Sequence, residues 1–258
     1  MAASGNHLTI TALAGMPLVR AGDDVAALLI TALGEAGLRL RDKDILVVTQ
    51  KIVSKAEDRF LDISSVTPSP GAIELAEKTG KAPKLVEAIL SQSSEVVRAR
   101  RGVLIVATPH GLVMANAGID QSNLERGEAV GRVLLLPEDP DASAARIKQR
   151  LDANFGGDVG VIISDSVGRA WRLGTVGLAI GAAGVPSLLD RRGELDLSGR
   201  PLEVTEVAFA DAVASAAVLA MGEAAEGTPA ALVRGLDWRA APRPATALVR
   251  PKAEDMFR

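Results

Sequence analysis

The chain of 258 residues has no cysteine, no tyrosine, two histidines, four phenylalanines and two tryptophans. The lack of cysteine excludes disulfides, thiolate zinc sites and a cysteine nucleophile together, and is consistent with a reducing compartment. With only His7 and His110 available, a catalytic triad or a His-rich metal site would rest almost entirely on His110. Scarce aromatics argue against stacking platforms for single-stranded nucleic acid. The balance of 29 Lys+Arg against 32 Asp+Glu lacks the basic excess of a nucleic-acid binder. Long apolar runs are missing too: Val207–Met221 is interrupted by Asp211 and is too short to span a bilayer. The N-terminus shows neither a basic leader nor a continuous apolar core. These absences point to a cytoplasmic protein with neither nucleic-acid nor membrane partners.

What is present is aliphatic. Hydrophobic residues make up 48% and charged residues 24%, the mix of a soluble globular enzyme. The length suits one large domain or two intertwined small ones. Alternation predicts a strand over His7–Leu13, and helical spacing predicts a helix capped by Asp23 or Asp24 and ending near Ala36. Asp44–Thr49 reads as a strand buried on both faces. Short helices are expected over Ile73–Thr79 and Lys84–Ser91, then a hairpin pairing Val103–Ala107 with Leu112–Ala115. Further along lie a strand at Val133–Leu136, a helix from a cap at Asp141 to Asn154, and strands at Val159–Ser164 and Thr175–Ile180. An Ala-rich helix over Val207–Met221 stops at Gly222, and Ala230–Val233 makes a last strand. Without steady β-α-β alternation, an α+β or irregular mixed α/β fold is favoured over a doubly wound one. The segment after Trp238 holds three prolines and is expected to be a peripheral tail.

Phosphate-loop signatures fail. Thr79–Gly80–Lys81 has no glycine at the required earlier position, and Gly177, Gly181 and Gly184 make no GxGxxG and read as turns. More informative are polar residues placed where apolar elements end. Asp120 follows a strand within the small, polar stretch Asn116–Asn123, where a backbone loop could approach a ligand or simply form an Asx turn. Asp165 and Ser166 sit at the end of Val159–Ile163, where a carboxylate and a hydroxyl could hold Mg²⁺ against phosphates. Arg169 and Arg172 follow, as anion forks or as solvent-facing arginines. Lys51 and Lys55, four residues apart, would share one helix face, an arrangement eased by an anion between them or by plain solvation. Glu223 and Glu226 lie in a Gly-flanked loop, as ligands or as solvated acids at a helix stop. Acids gathered around a cation and bases around phosphates form the arrangement used in metal-assisted phosphoryl transfer.

Several segments together resemble the coenzyme F420-0:gamma-glutamyl ligase family: PLVRAGDD (17–24), ILVVTQKIVSKAEDR (45–59), ANAGIDQSN (115–123), LLLPEDPDASA (134–144), VIISDSVGRAWRLGTVGLAIG (161–181), GRPLEVTEVAFAD (199–211) and MGEAAEGTP (221–229). The likeness runs from about Thr9 to Leu236, marking residues 1–236 as the ligase domain and 237–258 as the tail. It implies a two-part fold with mixed sheets, neither Rossmann nor P-loop, in an intertwined homodimer. The implied activity joins L-glutamate to the carboxylate of F420-0, and then further γ-linked glutamates, using GTP through an acyl phosphate. Two Mg²⁺ or Mn²⁺ ions, with K⁺ as a further ion, are implied as cofactors.

Carried over residue by residue, the resemblance implies Asp120, Asp165 and Lys55 as catalytic, and Asp120, Asp165, Ser166 and Glu223 as metal ligands. It implies GTP contacts from Met16, Pro17, Leu18 and Val19, from Gln50, Lys55 and Asn123, and from Met221, Gly222, Glu223, Ala224, Ala225, Glu226, Gly227 and Thr228. At Glu223 the family often has Gln, so this chain carries extra negative charge there. Two alternatives stay open: a metal-dependent nucleotide hydrolase or a ligase for a different carboxylic acid, and a non-catalytic nucleotide-binding module.

Overall fold

The computed structural model describes residues 7–120 and 131–256, and Asn123 lies outside them. In chain order the elements are β1 (Thr9–Ala12), α1 (Val25–Glu35), β2 (Ile45–Thr49), α2 (Gln50–Ala56), β3 (Phe60–Asp62), α3 (Pro70–Thr79), α4 (Pro83–Ser91), β4 (Glu95–Arg100), β5 (Val103–Ala107) and β6 (Val113–Ala115). Then follow β7 (Arg132–Leu134), α5 (Pro140–Phe155), β8 (Gly160–Gly168), β9 (Thr175–Ala183), β10 (Leu188–Asp190), β11 (Glu206–Ala208), α6 (Phe209–Met221) and β12 (Ala230–Arg234). The fold is mixed α+β with several sheets. The largest described sheet has the order β1-β12-β2-β8-β9, with β2 and β8 parallel and the other neighbours antiparallel.

The apolar run of β2 has a direct cause: both faces of its sheet are covered. Leu46 and Val48 enter one core with Leu29 and Leu33 of α1 and Leu151 of α5. Ile45 and Val47, pointing the other way, pack with Val213 and Ala217 of α6. A third core of Ala72, Ala76, Val86, Ile89, Leu104 and Val106 joins α3 and α4 to the small sheet β4-β5-β6. Among the described residues, no helix is long and apolar enough to cross a membrane.

Several expectations need correction. The strand expected to end at Ser164 runs on to Gly168, because after a bulge at Ile163/Ser164 β9 supplies partners as far as Gly168 opposite Thr175. Asp139, not Asp141, caps α5, its carboxylate accepting from Ala142 N at 2.9 Å. Asp141 instead accepts from Ala182 N of edge strand β9 at 2.8 Å and from Ala245 N at 2.7 Å. Asp211 does likewise for Ala179 N. Carboxylates on two helices therefore satisfy edge N–H groups that would otherwise be open to another strand.

Gly177 and Gly181 are not turn residues. Both lie within β9, where a Cβ would come within 2.5 Å of Ala214 O and 2.3 Å of Pro140 O, so glycine lets the α6 and α5 backbones touch the strand. β4 was not anticipated, since charged residues at Glu95, Arg98 and Arg100 obscure its apolar signal. Gly80 ends α3 in the left-handed region, which accounts for the failed phosphate-loop pattern. The segment after Trp238 folds back on the body: Ala245 is buried, and Ser187 Oγ donates to Arg243 O at 2.7 Å.

Candidate active site

β2 and β8 run side by side with Thr49 opposite Ser164, so their continuations leave the sheet at the same edge. Lys51 stands in the first turn of α2, and Asp165 comes just after the register shift at Ile163/Ser164, where β9 carries the extra residue, Ile180. Asp120 arrives from the segment that follows β6. Its backbone makes a reciprocal bridge with Leu134, both N–H···O distances being 2.9 Å. Its Oδ2 lies 2.7 Å from Lys51 Nζ.

Burial pushes the Asp165 carboxyl up to about 6, and the negative charge of Asp120 acts in the same direction. The Ser166 N–H, donating to Asp165 Oδ1 at 2.9 Å, the Lys51 ammonium and the Gln50 side chain oppose that rise. Two acids 45 positions apart in sequence thus feel one another and share a lysine.

Beside them opens a cavity of about 470 Å³. Met16–Val19 form one wall, Lys51 and Lys55 another, and Asp165 and Ser166 line it from β8. The loop Met221–Thr228 closes the remaining side. Gly222 starts that loop at a φ of 79°, and Thr228 Oγ1 donates back to Met221 O at 2.5 Å. The Ala224 N–H donates to Glu226 Oε2, bracing the loop internally. Ser166 Oγ donates to Glu223 Oε1 at 2.9 Å and ties the loop to the sheet. A separate cavity of about 530 Å³, between Thr108–Gly111 and Thr246–Lys252, contains none of the expected site residues.

A model of the F420-0:Gamma-glutamyl ligase family matches residues 15–235. The chain belongs to that family. It is 48% identical over 253 residues to the coenzyme F420:L-glutamate ligase of Methanothermobacter thermautotrophicus, covering 97% of this chain and 99% of the relative. The ligase of the same name from Methanopyrus kandleri is 46% identical, with 93% of each chain covered. That from Methanocaldococcus jannaschii is 46% identical, covering 85% of this chain and 86% of the relative.

Within this F420-0:gamma-glutamyl ligase fold, most of the expected GTP-contacting residues line one cavity. Gln50 does not: it is 2% exposed, accepts from Ser54 Oγ and lies against Asp165. Arg169 also departs from the expected cluster, its guanidinium donating to Gly174 O on an exposed hairpin tip rather than lining the cavity.

The oxygen donor set suits a hard divalent cation, and the ammonium of Lys51 already sits against the acids. Among the described residues no three acids or histidines converge as a ready-made metal cage, and Glu223 is engaged with Ser166. Mg²⁺ needs only one or two protein carboxylates and takes its other oxygens from water and phosphate, so Asp120 and Asp165 could serve it without a third acid.

Asn116 and Ala117, four and three residues before Asp120, open the small, polar stretch singled out in the sequence, but their left-handed backbone was not foreseen. Both have a φ of 55°, and Asn116 Oδ1 is buried with no hydrogen-bond partner among the described residues. Left-handed backbone at a non-glycine alanine is strained, and strain of this kind collects at functional sites. Composition carried no signal for it.

Proposed function

We propose that this chain is a GTP- and divalent-metal-dependent ligase that joins L-glutamate to coenzyme F420-0, with loss of GDP and phosphate. The observation that carries this reading is the meeting of Asp120, Asp165 and Lys51 beside a cavity lined by two lysines and the Met221–Thr228 loop. The names of the relatives support the substrate pair.

The chemistry must turn a carboxylate into an electrophile. An F420-0 carboxylate oxygen attacks the γ-phosphorus of GTP, the bond to the bridging oxygen breaks, and GDP leaves. The glutamate amine then attacks the acyl carbon, phosphate departs, and the amine gives up a proton as the amide forms. Asp120, Asp165 and the Ser166 hydroxyl would hold Mg²⁺ or Mn²⁺, which when bound neutralises phosphate oxygens. Lys55, 6% exposed on the cavity wall, adds fixed positive charge where anions must approach. The apolar Met16–Val19 segment and the braced loop form two walls of the cavity in which the acyl phosphate would sit. K⁺ belongs to this proposal as an accessory ion. A homodimer belongs to it as well, since Trp171, Leu173, Leu195 and Leu197 are exposed on protruding segments.

The test is mass spectrometry of product after incubation with F420-0, GTP, Mn²⁺ and glutamate, with GDP release measured in parallel. Glutamylated product, with GDP release requiring both acceptor and amino acid, is expected. Equal GDP release with neither substrate would instead make the protein a nucleotide hydrolase.

A further inference from the structure

We propose that Lys51 is a built-in placeholder cation, occupying the acidic site until a nucleoside triphosphate draws it away and admits the divalent metal. This role rests on the function proposed above and adds an order to its binding events. Lys51 Nζ is 2.7 Å from Asp120 Oδ2, and its charge also acts on Asp165. The lysine therefore pairs directly with Asp120 and acts through space on Asp165, the two acids proposed for the metal. Carboxylates that feel one another repel when both are ionised, and a nearby cation relieves that.

An ammonium at that distance and a divalent ion on the same carboxylate repel each other, so the metal binds more tightly once Lys51 has moved off. Lys51 is able to move: its side chain is 29% exposed, that of Asp120 is 20% exposed, and Lys51 also lines the cavity. Lysine is a flexible point charge on a four-carbon stem, suited to exchanging one anion for another. A triphosphate entering the cavity offers Lys51 new oxygens and frees Asp120 for the metal. Nucleotide and metal then favour each other's binding by the same factor, as linkage requires. Lys55, buried and lining the same cavity one helical turn on, provides fixed phosphate charge and leaves Lys51 to move.

The test is calorimetric titration of Mn²⁺ into the metal-stripped full chain, with and without a non-hydrolysable GTP analogue, for wild type, Lys51→Met, Lys51→Gln and Lys51→Arg. Without nucleotide, Lys51→Met and Lys51→Gln are expected to bind Mn²⁺ at least ten-fold tighter than wild type, and Lys51→Arg no tighter. The gain from the added analogue shrinks in the two neutral variants. Unchanged or weaker Mn²⁺ binding in a neutral variant with a wild-type circular dichroism spectrum overturns the placeholder role and leaves the metal reading standing. Failure of wild type to bind Mn²⁺ even with the analogue overturns the metal reading, and the placeholder with it.

Discussion

Ser166 and Glu223, 57 positions apart, are joined by a hydrogen bond of 2.9 Å from the serine hydroxyl to the glutamate carboxylate. That bond links the end of the parallel strand pair to the loop after α6, so the cavity wall and the acidic centre are positioned together. A hydrogen bond to a charged group contributes about 1.5–3 kcal/mol when buried, and less at this half-exposed position. Ser166→Ala is therefore expected to raise the KM for GTP by roughly three- to ten-fold. Steady-state GDP release at varied GTP checks this, and an unchanged KM would show that the bond does not shape the nucleotide pocket.

In the proposed mechanism Asp120 and Asp165 stabilise charge at the reacting phosphates, so Asp120→Asn and Asp165→Asn should each lower GTP-dependent glutamylation by about 10²-fold or more. Near-normal turnover in both would remove these residues from the catalytic centre.

Asp165 also makes stability depend on pH. Its folded-state pKa is raised from 3.8 to about 6, so the folded protein holds the proton more tightly than the unfolded chain. The associated stability is fully present below about pH 4 and is lost as pH rises through about 6, at about 1.4 kcal/mol per pH unit. Metal-free Asp165→Asn escapes this loss. It should melt higher than wild type at pH 8, by an amount on the order of 2 kcal/mol, with the gap closing near pH 4. Thermal melts in chelator across that range provide the measurement, and a wild type that melts as high as the variant at pH 8 would contradict it.

In the proposed mechanism the two acids and the phosphates share a cation, so chelation should abolish turnover and added Mg²⁺ or Mn²⁺ should restore it. Full activity in excess EDTA would be fatal to the metal role.

Away from the site, Arg234 makes a two-pronged contact with buried Asp44, at 2.8 Å from Nε and 2.6 Å from Nη2. Asp44 also accepts from Arg41 N at 2.8 Å. Removing the arginine strands a carboxylate whose side chain is only 3% exposed. Arg234→Met should cost about 2–4 kcal/mol, slightly discounted because the arginine itself is partly solvated. Urea unfolding measures it, and a loss below ~0.5 kcal/mol would mean that water replaces the partner.

Much of this protein could be read along the chain. Apolar periodicity located β2, α1, α5 and the β5–β6 hairpin, because burial imposes a local pattern on any element that packs against a core. The family was legible too, in long strings such as those around Asp120 and Asp165. Tertiary structure decided which groups meet. Only the parallel register of β2 on β8 sets Lys51 beside Asp165, and only the backbone bridge between Asp120 and Leu134 carries Asp120 to the same lysine. Likewise Asp141 and Asp211 carry no mark of serving an edge strand, and Gly177 and Gly181 none of a helix backbone pressed against them. Periodicity reports whether a residue is buried. Electrostatics and close packing depend on distances between residues far apart in the chain, and these exist only once it has folded.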